Sequence, residues 1–273
     1  MVVLLLFICT VYLMKLSRDS NGPVIVGHRG AGRGRVSFDS GFVLENSIES
    51  FLVAEKLGLR WVETDAVRTA DNKLVLHHDT VLSDGRSIER MTLDEVVREG
   101  IDSLEEAFLV LPPSLGMIVE VKHVLSDTDS SRPDTALLVA KALVAERIRS
   151  GRALASYGFD ASTAGRVRSI GKSEGVLVGT IAEGGSDLAG MVLTAHREGL
   201  FIVAAHTTSL LGTRAELQMR PNDLVSTIGR AHELGQIVLA WCPKLEEARI
   251  LSESGVDALC VDNVPDFMSQ WVG

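Results

Sequence analysis

Cysteine is scarce in this chain, and basic residues are fewer than acidic ones; each of these features argues against a class of protein. The 273 residues include three cysteines, Cys9, Cys242 and Cys260, which are too few and too irregularly spaced for a disulfide framework or a zinc motif. We interpret Cys242 and Cys260, which lie in apolar strand-like runs, as small buried hydrophobes. The formal net charge of -9 argues against nucleic acid as a partner, because binding a phosphate backbone needs a basic patch.

Internal repeats and low-complexity segments are also missing, and the composition is that of an ordinary folded protein. Hydrophobic residues make up 46% of the chain and charged residues 23%, which excludes wholesale disorder. The length fits one α/β barrel of roughly 250 residues better than two small domains.

One long apolar run is present, at residues 2–14, and it is followed by Lys15 and Arg18. It falls short of the roughly 20 residues that span a bilayer, and it lacks the basic region and cleavage site of a signal peptide. A weak membrane anchor, an unusual signal and an upstream extension from a misassigned start are all open. We predict an N-terminal segment at 1–22 and a barrel domain at 23–273, membrane-associated through residues 2–14 or cytoplasmic.

From Pro23 onward, apolar runs alternate with amphipathic stretches, which predicts parallel strands joined by helical crossovers. The predicted strands are Val24–His28, Trp61–Ala66, Ile118–Lys122, Ala153–Tyr157, Val176–Ile181, Phe201–Ala205, Ile237–Trp241 and Ala258–Asp262. A further run, Leu74–His78, follows the second strand too closely for a parallel crossover, so we expect it to fold back as an antiparallel flap. The sequence therefore predicts a (β/α)8 TIM barrel with a short flap strand after the second strand.

The first helix has signals at both ends. Asn46 and Glu49 predict a capping box, with Asn46 as the N-cap, and Gly58 predicts the end of the helix.

Polar residues that end apolar strands are the candidates for a site, because a barrel of this kind builds its site at the C-terminal ends of its strands. Glu63 and Asp65 lie two residues apart and so share a face, and Glu120 comes from the next strand. Buried carboxylates are costly unless they are paired or bind a metal, and three oxygen donors suit Mg²⁺ or Ca²⁺. Lys122 leaves a second interpretation open, in which it neutralises this cluster.

Two histidines end strands near these carboxylates. His28 ends the first predicted strand, beside Arg29, and His78 ends the flap. Histidine titrates close to neutral pH and is therefore suited to proton transfer. His77 alternates away from His78, and we interpret it as structural or solvent-facing.

Several motifs follow one another in an order that resembles the glycerophosphodiester phosphodiesterase family, and its bacterial, most of all actinobacterial, members. They are GHRGAG at 27–32, ENSIESF at 45–51, WVETDA at 61–66, TADNKLVLHHD at 69–79, VEVK at 119–122, LASYGFD at 154–160 and the stretch from 231 to 266. The resemblance covers nearly everything from Pro23 onward.

This resemblance implies metal-dependent hydrolysis of a small glycerophosphodiester to sn-glycerol 3-phosphate and an alcohol. It assigns one divalent cation, Mg²⁺ or Ca²⁺, to Glu63, Asp65 and Glu120, with Glu45 beside the metal. It makes His28 and His78 the acid–base pair, places Arg29 and Lys122 on the phosphate, and makes Trp241 a wall of the pocket. The alternative activity is that of a lysophospholipase D with the same site.

Two departures from the family pattern leave the substrate open. The loop at Arg33–Leu44 is lengthened, and the stretch Thr80–Pro112 is shorter than in many relatives.

Overall fold

Eight parallel strands close into a barrel in the computed structural model, which describes residues 16–38, 41–212 and 221–271. The first strand closes the barrel because it pairs on both sides. Val26 lies opposite Cys260 of the last strand and opposite Trp61 of the second barrel strand. The TIM barrel predicted from the sequence is confirmed.

All eight predicted barrel strands are present, within two residues of the expected bounds. In chain order the strands are β1 (Val24–Gly27), β2 (Arg35–Phe38), β3 (Gly41–Leu44), β4 (Trp61–Arg68), β5 (Leu74–Leu76), β6 (Gly116–Val121), β7 (Leu154–Gly158), β8 (Leu177–Ala182), β9 (Ile202–His206), β10 (Ile237–Trp241) and β11 (Ala258–Val261). The barrel order is β1-β11-β10-β9-β8-β7-β6-β4, which returns to β1.

Helices cover the outside of the barrel and connect its parallel strands. They are α1 (Ile48–Lys56), α2 (Leu93–Arg98), α3 (Leu104–Val110), α4 (Thr135–Ser150), α5 (Ala161–Gly171), α6 (Leu188–Arg197), α7 (Thr207–Leu211), α8 (Pro221–Glu233), α9 (Leu245–Glu253) and α10 (Val264–Gln270). The helical crossovers bury the outer face of the barrel strands and the side chains inside the barrel bury the inner face, so most strand residues are apolar on both faces.

The predicted flap is present as β5, which pairs antiparallel with the end of β4 through Ala66 opposite Leu76. It is shorter than expected, so His77 and His78 lie just beyond the strand. A second hairpin, β2–β3, forms in the lengthened loop and was not predicted. One face of this hairpin is buried, because Val36 and Val43 pack against Ala31.

The core has two layers, one inside the barrel and one between the strands and the helices. Trp61, Tyr157 and Cys260 belong to the inner layer, and Cys260 is the small buried hydrophobe that was predicted. Leu16, which precedes the first strand, is also fully buried in this inner layer.

The predicted apolar segment at residues 2–14 lies outside the described residues. Within the described ranges, no helix combines the length and the apolar character that a bilayer crossing requires. Immediately after that segment, Leu16 packs inside the barrel and the Arg18 Nη1 donates to the Ser252 carbonyl over 2.9 Å.

Candidate active site

Three carboxylates converge at the C-terminal end of neighbouring strands. Glu63 and Asp65 point inward from β4, and Glu120 lies opposite Asp65 on β6. One oxygen from each falls within 4.8 Å of the others. All three are buried, with 1%, 1% and 5% of their surface exposed. The structure thus brings together the carboxylates that the sequence singled out.

Two cations face this cluster. The Lys122 Nζ lies 2.9 Å from the Asp65 Oδ1 and also pairs with Glu120. The Arg29 guanidinium pairs with the Glu45 Oε1 at 2.8 Å and with the Asp65 Oδ2 at 3.3 Å. Both cations therefore contact carboxylates, which favours the interpretation that Lys122 neutralises the cluster.

The charges in the cluster are unequally compensated. Burial and the repulsion from Asp65 and Glu120 raise the pKa of Glu63 well above its ordinary value. Burial and Asp65 likewise raise the pKa of Glu120 to about 7. Burial alone would raise the pKa of Asp65, but Lys122 and Arg29 outweigh it and lower that pKa. Lys122 and Arg29 thus favour the charged form of Asp65, whereas burial disfavours the charged forms of Glu63 and Glu120.

A divalent cation fits this donor set. The Glu63 Oε1 is buried and accepts no hydrogen bond from any described residue. A bound divalent cation would satisfy that oxygen and offset the repulsion among the carboxylates. The oxygen-only donors match the preference of Mg²⁺ or Ca²⁺. The residues present therefore fit the cation expected from the sequence.

Two residues in the left-handed backbone region aim their side chains at Asp65. Arg29 has a φ of 53° and Asn46 a φ of 54°, a conformation that costs about 1–3 kcal/mol for such residues. They are joined by a hydrogen bond from the Asn46 N–H to the Arg29 carbonyl. The Asn46 Nδ2 donates to the Asp65 Oδ2 over 2.8 Å, and its Oδ1 accepts from Thr64.

The predicted capping role of Asn46 is wrong. Ser47 is the N-cap of α1, since its side chain accepts from the Ser50 N–H. Asn46 is instead a site residue that sequence reasoning missed, because its carboxamide positions Asp65.

His28 is held on one edge by Asp262, the residue that follows β11. The His28 Nδ1 donates to the Asp262 Oδ1 over 2.5 Å, while its Nε2 lies 3.8 Å from the Glu63 Oε2. Asp262 was also missed, although it is the last residue of the predicted eighth strand. Asp262 is a polar residue at the end of an apolar strand, which is the same feature that made His28 a candidate.

Cys242 differs from the buried hydrophobe that was predicted, because it is half-buried and contacts polar groups. Its Sγ lies 3.3 Å from the Asp262 Oδ1 and 3.6 Å from the His28 Nδ1. The prediction failed because Cys242 follows the apolar run of β10 directly, at the mouth of the barrel.

The two neighbouring histidines of the flap differ in their contacts. The His78 Nδ1 contacts the Asp79 Oδ1 at 2.7 Å. Burial, Lys122 and Arg29 lower the pKa of His78, whereas Asp65 opposes them, so His78 faces the charges of the carboxylate cluster. The His77 Nδ1 instead donates to the Asp79 carbonyl. The His77 backbone N–H donates to the Asp65 backbone carbonyl.

Trp241, at the end of β10, packs edge-on against His206, with ring centroids 4.5 Å apart. Its Nε1 is buried, and no described residue accepts a hydrogen bond from it. The indole therefore combines an apolar wall with one spare donor.

A wide groove begins beside the site and leads away from it. Its volume is about 1490 Å³, and it runs from Glu45 and His78 between α1 and the β2–β3 hairpin. Apolar side chains line it together with polar ones; Phe42 and Leu57 are among the apolar ones and are exposed to solvent. The lengthened loop thus forms one wall of a groove that opens at the site.

The chain matches one family along most of its length. The model of the glycerophosphoryl diester phosphodiesterase family matches residues 28–265. Among curated proteins, a glycerophosphocholine phosphodiesterase of Schizosaccharomyces pombe is 32% identical over 96 residues, which are 33% of this chain and 8% of that protein. One from Candida albicans is 41% identical over 68 residues, which are 23% of this chain and 6% of that protein. The chain thus spans a small part of these relatives.

Solved structures share the fold. The glycerophosphodiester phosphodiesterase of Thermotoga maritima superimposes with a TM-score of 0.69 at 18% identity, covering 93% of this chain and all (100%) of the other. A phosphodiesterase of Oleispira antarctica, solved in complex with the product sn-glycerol-3-phosphate, gives a TM-score of 0.68 at 19% identity, with 91% and 96% covered.

Proposed function

Since the chain belongs to the glycerophosphoryl diester phosphodiesterase family, we propose that it hydrolyses glycerophosphodiesters to sn-glycerol 3-phosphate and an alcohol. The observation that carries this proposal is the convergence of Glu63, Asp65 and Glu120 beside two histidines at one end of the barrel. The relative that was solved with sn-glycerol-3-phosphate supports the same product.

Glu63, Asp65 and Glu120 hold one divalent cation, Mg²⁺ or Ca²⁺, in this proposal. Such a cation supplies neutralising charge for the phosphate oxygens in the transition state. Glu45 contributes to the site indirectly, because its 2.8 Å ion pair with Arg29 holds the guanidinium in place. With the cation bound, Asp65 and Glu120 would need less compensation from the protein, so Lys122 could also contact a phosphate, with Arg29 held beside the cluster by Glu45.

His28 and His78 carry the protons. His28 lies beside Glu63, and His78 interacts electrostatically with Lys122 and Asp65. Each histidine has its Nδ1 bonded to an aspartate, Asp262 or Asp79. That bond leaves the Nε2 of each ring available for the substrate. One histidine accepts the proton of the attacking hydroxyl and the other protonates the leaving alcohol, and a positioned group of this kind contributes about 10²–10⁴-fold.

A product assay tests the proposal. The enzyme is given glycerophosphocholine and glycerophosphoethanolamine, with and without a chelator, and sn-glycerol 3-phosphate is measured. We expect turnover that chelation abolishes and that Mg²⁺ or Ca²⁺ restores. Full turnover in excess EDTA would exclude the metal, and release of phosphocholine would show cleavage of the wrong ester bond.

The groove supports a second candidate activity, that of a lysophospholipase D. A lysolipid carries an acyl chain on the glycerol, and the apolar side chains near Glu45 and His78 offer it a surface that a small glycerophosphodiester does not need. Phe42→Ser on the hairpin should then lower kcat/KM for lysophosphatidylcholine and leave glycerophosphocholine turnover unchanged. Equal effects on both substrates would remove the support for this candidate.

We also propose that residues 2–14 associate weakly with a membrane. The support is the length and apolar character of this run, which are marginal for spanning a bilayer.

A further inference from the structure

A second group of side chains of the kinds that can bind a metal lies on the opposite edge of His28 from Glu63. It comprises the His28 Nδ1, the Cys242 Sγ and the Asp262 Oδ1, all within 4.8 Å of one another. The sulfur is 3.6 Å from the nitrogen and 3.3 Å from the oxygen, and the nitrogen and oxygen are 2.5 Å apart. One nitrogen, one sulfur and one oxygen donor therefore lie close enough together to bind a single ion.

These separations are close to those of a tetrahedral zinc site. Zinc binds sulfur at about 2.3 Å, nitrogen at about 2.0–2.1 Å and oxygen at about 2.0–2.2 Å, which puts tetrahedral donors about 3.4–3.6 Å apart. The two distances from the Cys242 sulfur already agree within about 0.3 Å. The His28–Asp262 distance must widen by about 0.9 Å, and Asp262 has room to move because 39% of its side chain is exposed.

The donors differ in kind from those of the carboxylate cluster. Thiolate and imidazole favour zinc over Mg²⁺ and Ca²⁺, whereas the oxygen atoms of Glu63, Asp65 and Glu120 favour the hard cations. The two sites should therefore select different metals when both are offered.

We propose that His28, Cys242 and Asp262 form an inhibitory site for Zn²⁺. The ion binds the His28 Nδ1, the Asp262 carboxylate and the Cys242 thiolate, and solvent fills the fourth position. The thiol releases its proton to solvent, and the imidazole proton moves from Nδ1 to Nε2. His28 then has no free ring nitrogen, so it can no longer accept a proton from the substrate.

The environment of Cys242 disfavours its thiolate when no ion is bound. Burial and the neighbouring Asp262 raise the pKa of Cys242 far above its ordinary value. Since oxidation and alkylation require the thiolate, slow reaction with iodoacetamide is expected in the absence of zinc.

Cobalt spectroscopy tests the site without reference to turnover. Co²⁺ bound to a thiolate absorbs in the near ultraviolet, and Zn²⁺ should displace it and remove that absorption. The full chain, saturated with Mg²⁺, is titrated with Co²⁺. We expect the band in the wild type, in Cys9→Ser and in Glu120→Gln, and its loss in Cys242→Ala. A band that persists in Cys242→Ala, or none in the wild type, would overturn the proposal.

Inhibition is the second measurement, and it rests on the proposed function. Zn²⁺ in excess Mg²⁺ should stop turnover, and a zinc-selective chelator should restore it. Cys242→Ser should retain turnover without zinc, and it should need more zinc for inhibition, by at least the roughly 10–100-fold that even second-shell losses cost. If zinc inhibits Cys242→Ser as strongly as the wild type, and if Mg²⁺ relieves that inhibition, then zinc binds at the carboxylates. That result would contradict the inference.

The two ideas fail differently. A cobalt–thiolate band in a protein without any phosphodiesterase turnover would leave the zinc site standing and remove the proposed function. Turnover without the band would do the opposite.

Discussion

The Nδ1 of His28 lies 2.5 Å from the Oδ1 of Asp262, although 233 residues separate them in the chain. Closure of the barrel brings them together. The first and last strands pair in parallel with Gly27 opposite Val261, so the residues that follow lie side by side. Gly32 passes so close that a Cβ there would overlap the Asp262 carbonyl. The backbone around this contact is therefore tightly fixed.

Asp262→Asn should lower kcat by about 10–10²-fold with little change in KM, because the imidazole loses the carboxylate that orients it. Asp262 acts through His28, so the two substitutions should not be additive. In a His28→Ala background, Asp262→Asn should add almost nothing. Steady-state kinetics of the double-mutant cycle measure this, and full additivity would show that Asp262 acts independently of His28.

His28→Ala and His78→Ala should each lower kcat by about 10²-fold or more, because each removes one proton-transfer partner. His77→Ala is the matched control from the same flap and should do much less, since its ring bonds to the Asp79 carbonyl. Circular dichroism should show intact folds for all three. If His77 proves critical and His78 dispensable, the flap presents the other histidine to the substrate.

Mg²⁺ or Ca²⁺ should raise the melting temperature of the wild type and not that of Glu63→Gln. A cation at 100 times its Kd stabilises the folded state by about 2.7 kcal/mol. Without cation, Glu63→Gln should melt no lower than the wild type, because it removes one member of a repelling cluster. Differential scanning calorimetry checks both points. An equal cation-induced shift in the variant would mean that the ion binds elsewhere.

The His232–Asp257 pair predicts a stability change with pH outside the site. The hydrogen bond from the His232 Nε2, 2.9 Å from Asp257, raises the pKa of this histidine above the ordinary 6.5. A raised histidine pKa contributes stability that is complete below about pH 6.5 and lost as pH rises through the folded-state value. His232 is partly exposed, which weakens the effect.

His232→Gln should therefore lose stability relative to the wild type at pH 5.5, and the difference should shrink by pH 8.5. Urea unfolding at both pH values measures it. Taking the difference from the wild type cancels the contribution of His123, whose pKa is also raised. A constant difference across this range would mean that Asp257 does not raise the pKa of His232 in the folded protein.

The barrel could be predicted from the sequence because its signals are local. Buried parallel strands are apolar runs separated by helical stretches, and Glu63 and Asp65 share a face through simple alternation. The flap followed from the short spacing after the second strand. The β2–β3 hairpin was missed because its four-residue strands are too short to show a period.

The errors at Asn46 and Cys242 have tertiary causes. Asn46 and Ser47 are both good N-cap residues, and the choice between them is made by Asp65, which binds the Asn46 carboxamide. Cys242 follows an apolar strand and looks buried until the neighbouring strand end, with Asp262, is placed beside it. Contacts between strand ends that are distant in the chain cannot be predicted from the local sequence around either end.

Two N-terminal deletions should distinguish the residues that stabilise the barrel from the apolar run at residues 2–14. Leu16 is fully buried inside the barrel, and Arg18 bonds to the Ser252 carbonyl. Deletion of residues 2–14 should leave stability and glycerophosphocholine turnover unchanged and should shift the protein from the membrane to the soluble fraction. Deletion of residues 1–21 should cost about 2–5 kcal/mol, the range for emptying a buried leucine site. Urea unfolding and fractionation of expressing cells measure both.

Leu16→Ala within the shorter deletion is the matched control, since it removes the same core contact and leaves the chain length unchanged. Its loss of stability should account for most of that seen when residues 1–21 are deleted. If both deletions are equally stable, the inner layer closes without Leu16. If the shorter deletion unfolds, or stays in the membrane fraction, residues 2–14 belong to the fold or another surface binds the membrane. If it retains glycerophosphocholine turnover and loses lysophosphatidylcholine turnover, the lysophospholipase D activity becomes the better supported of the two.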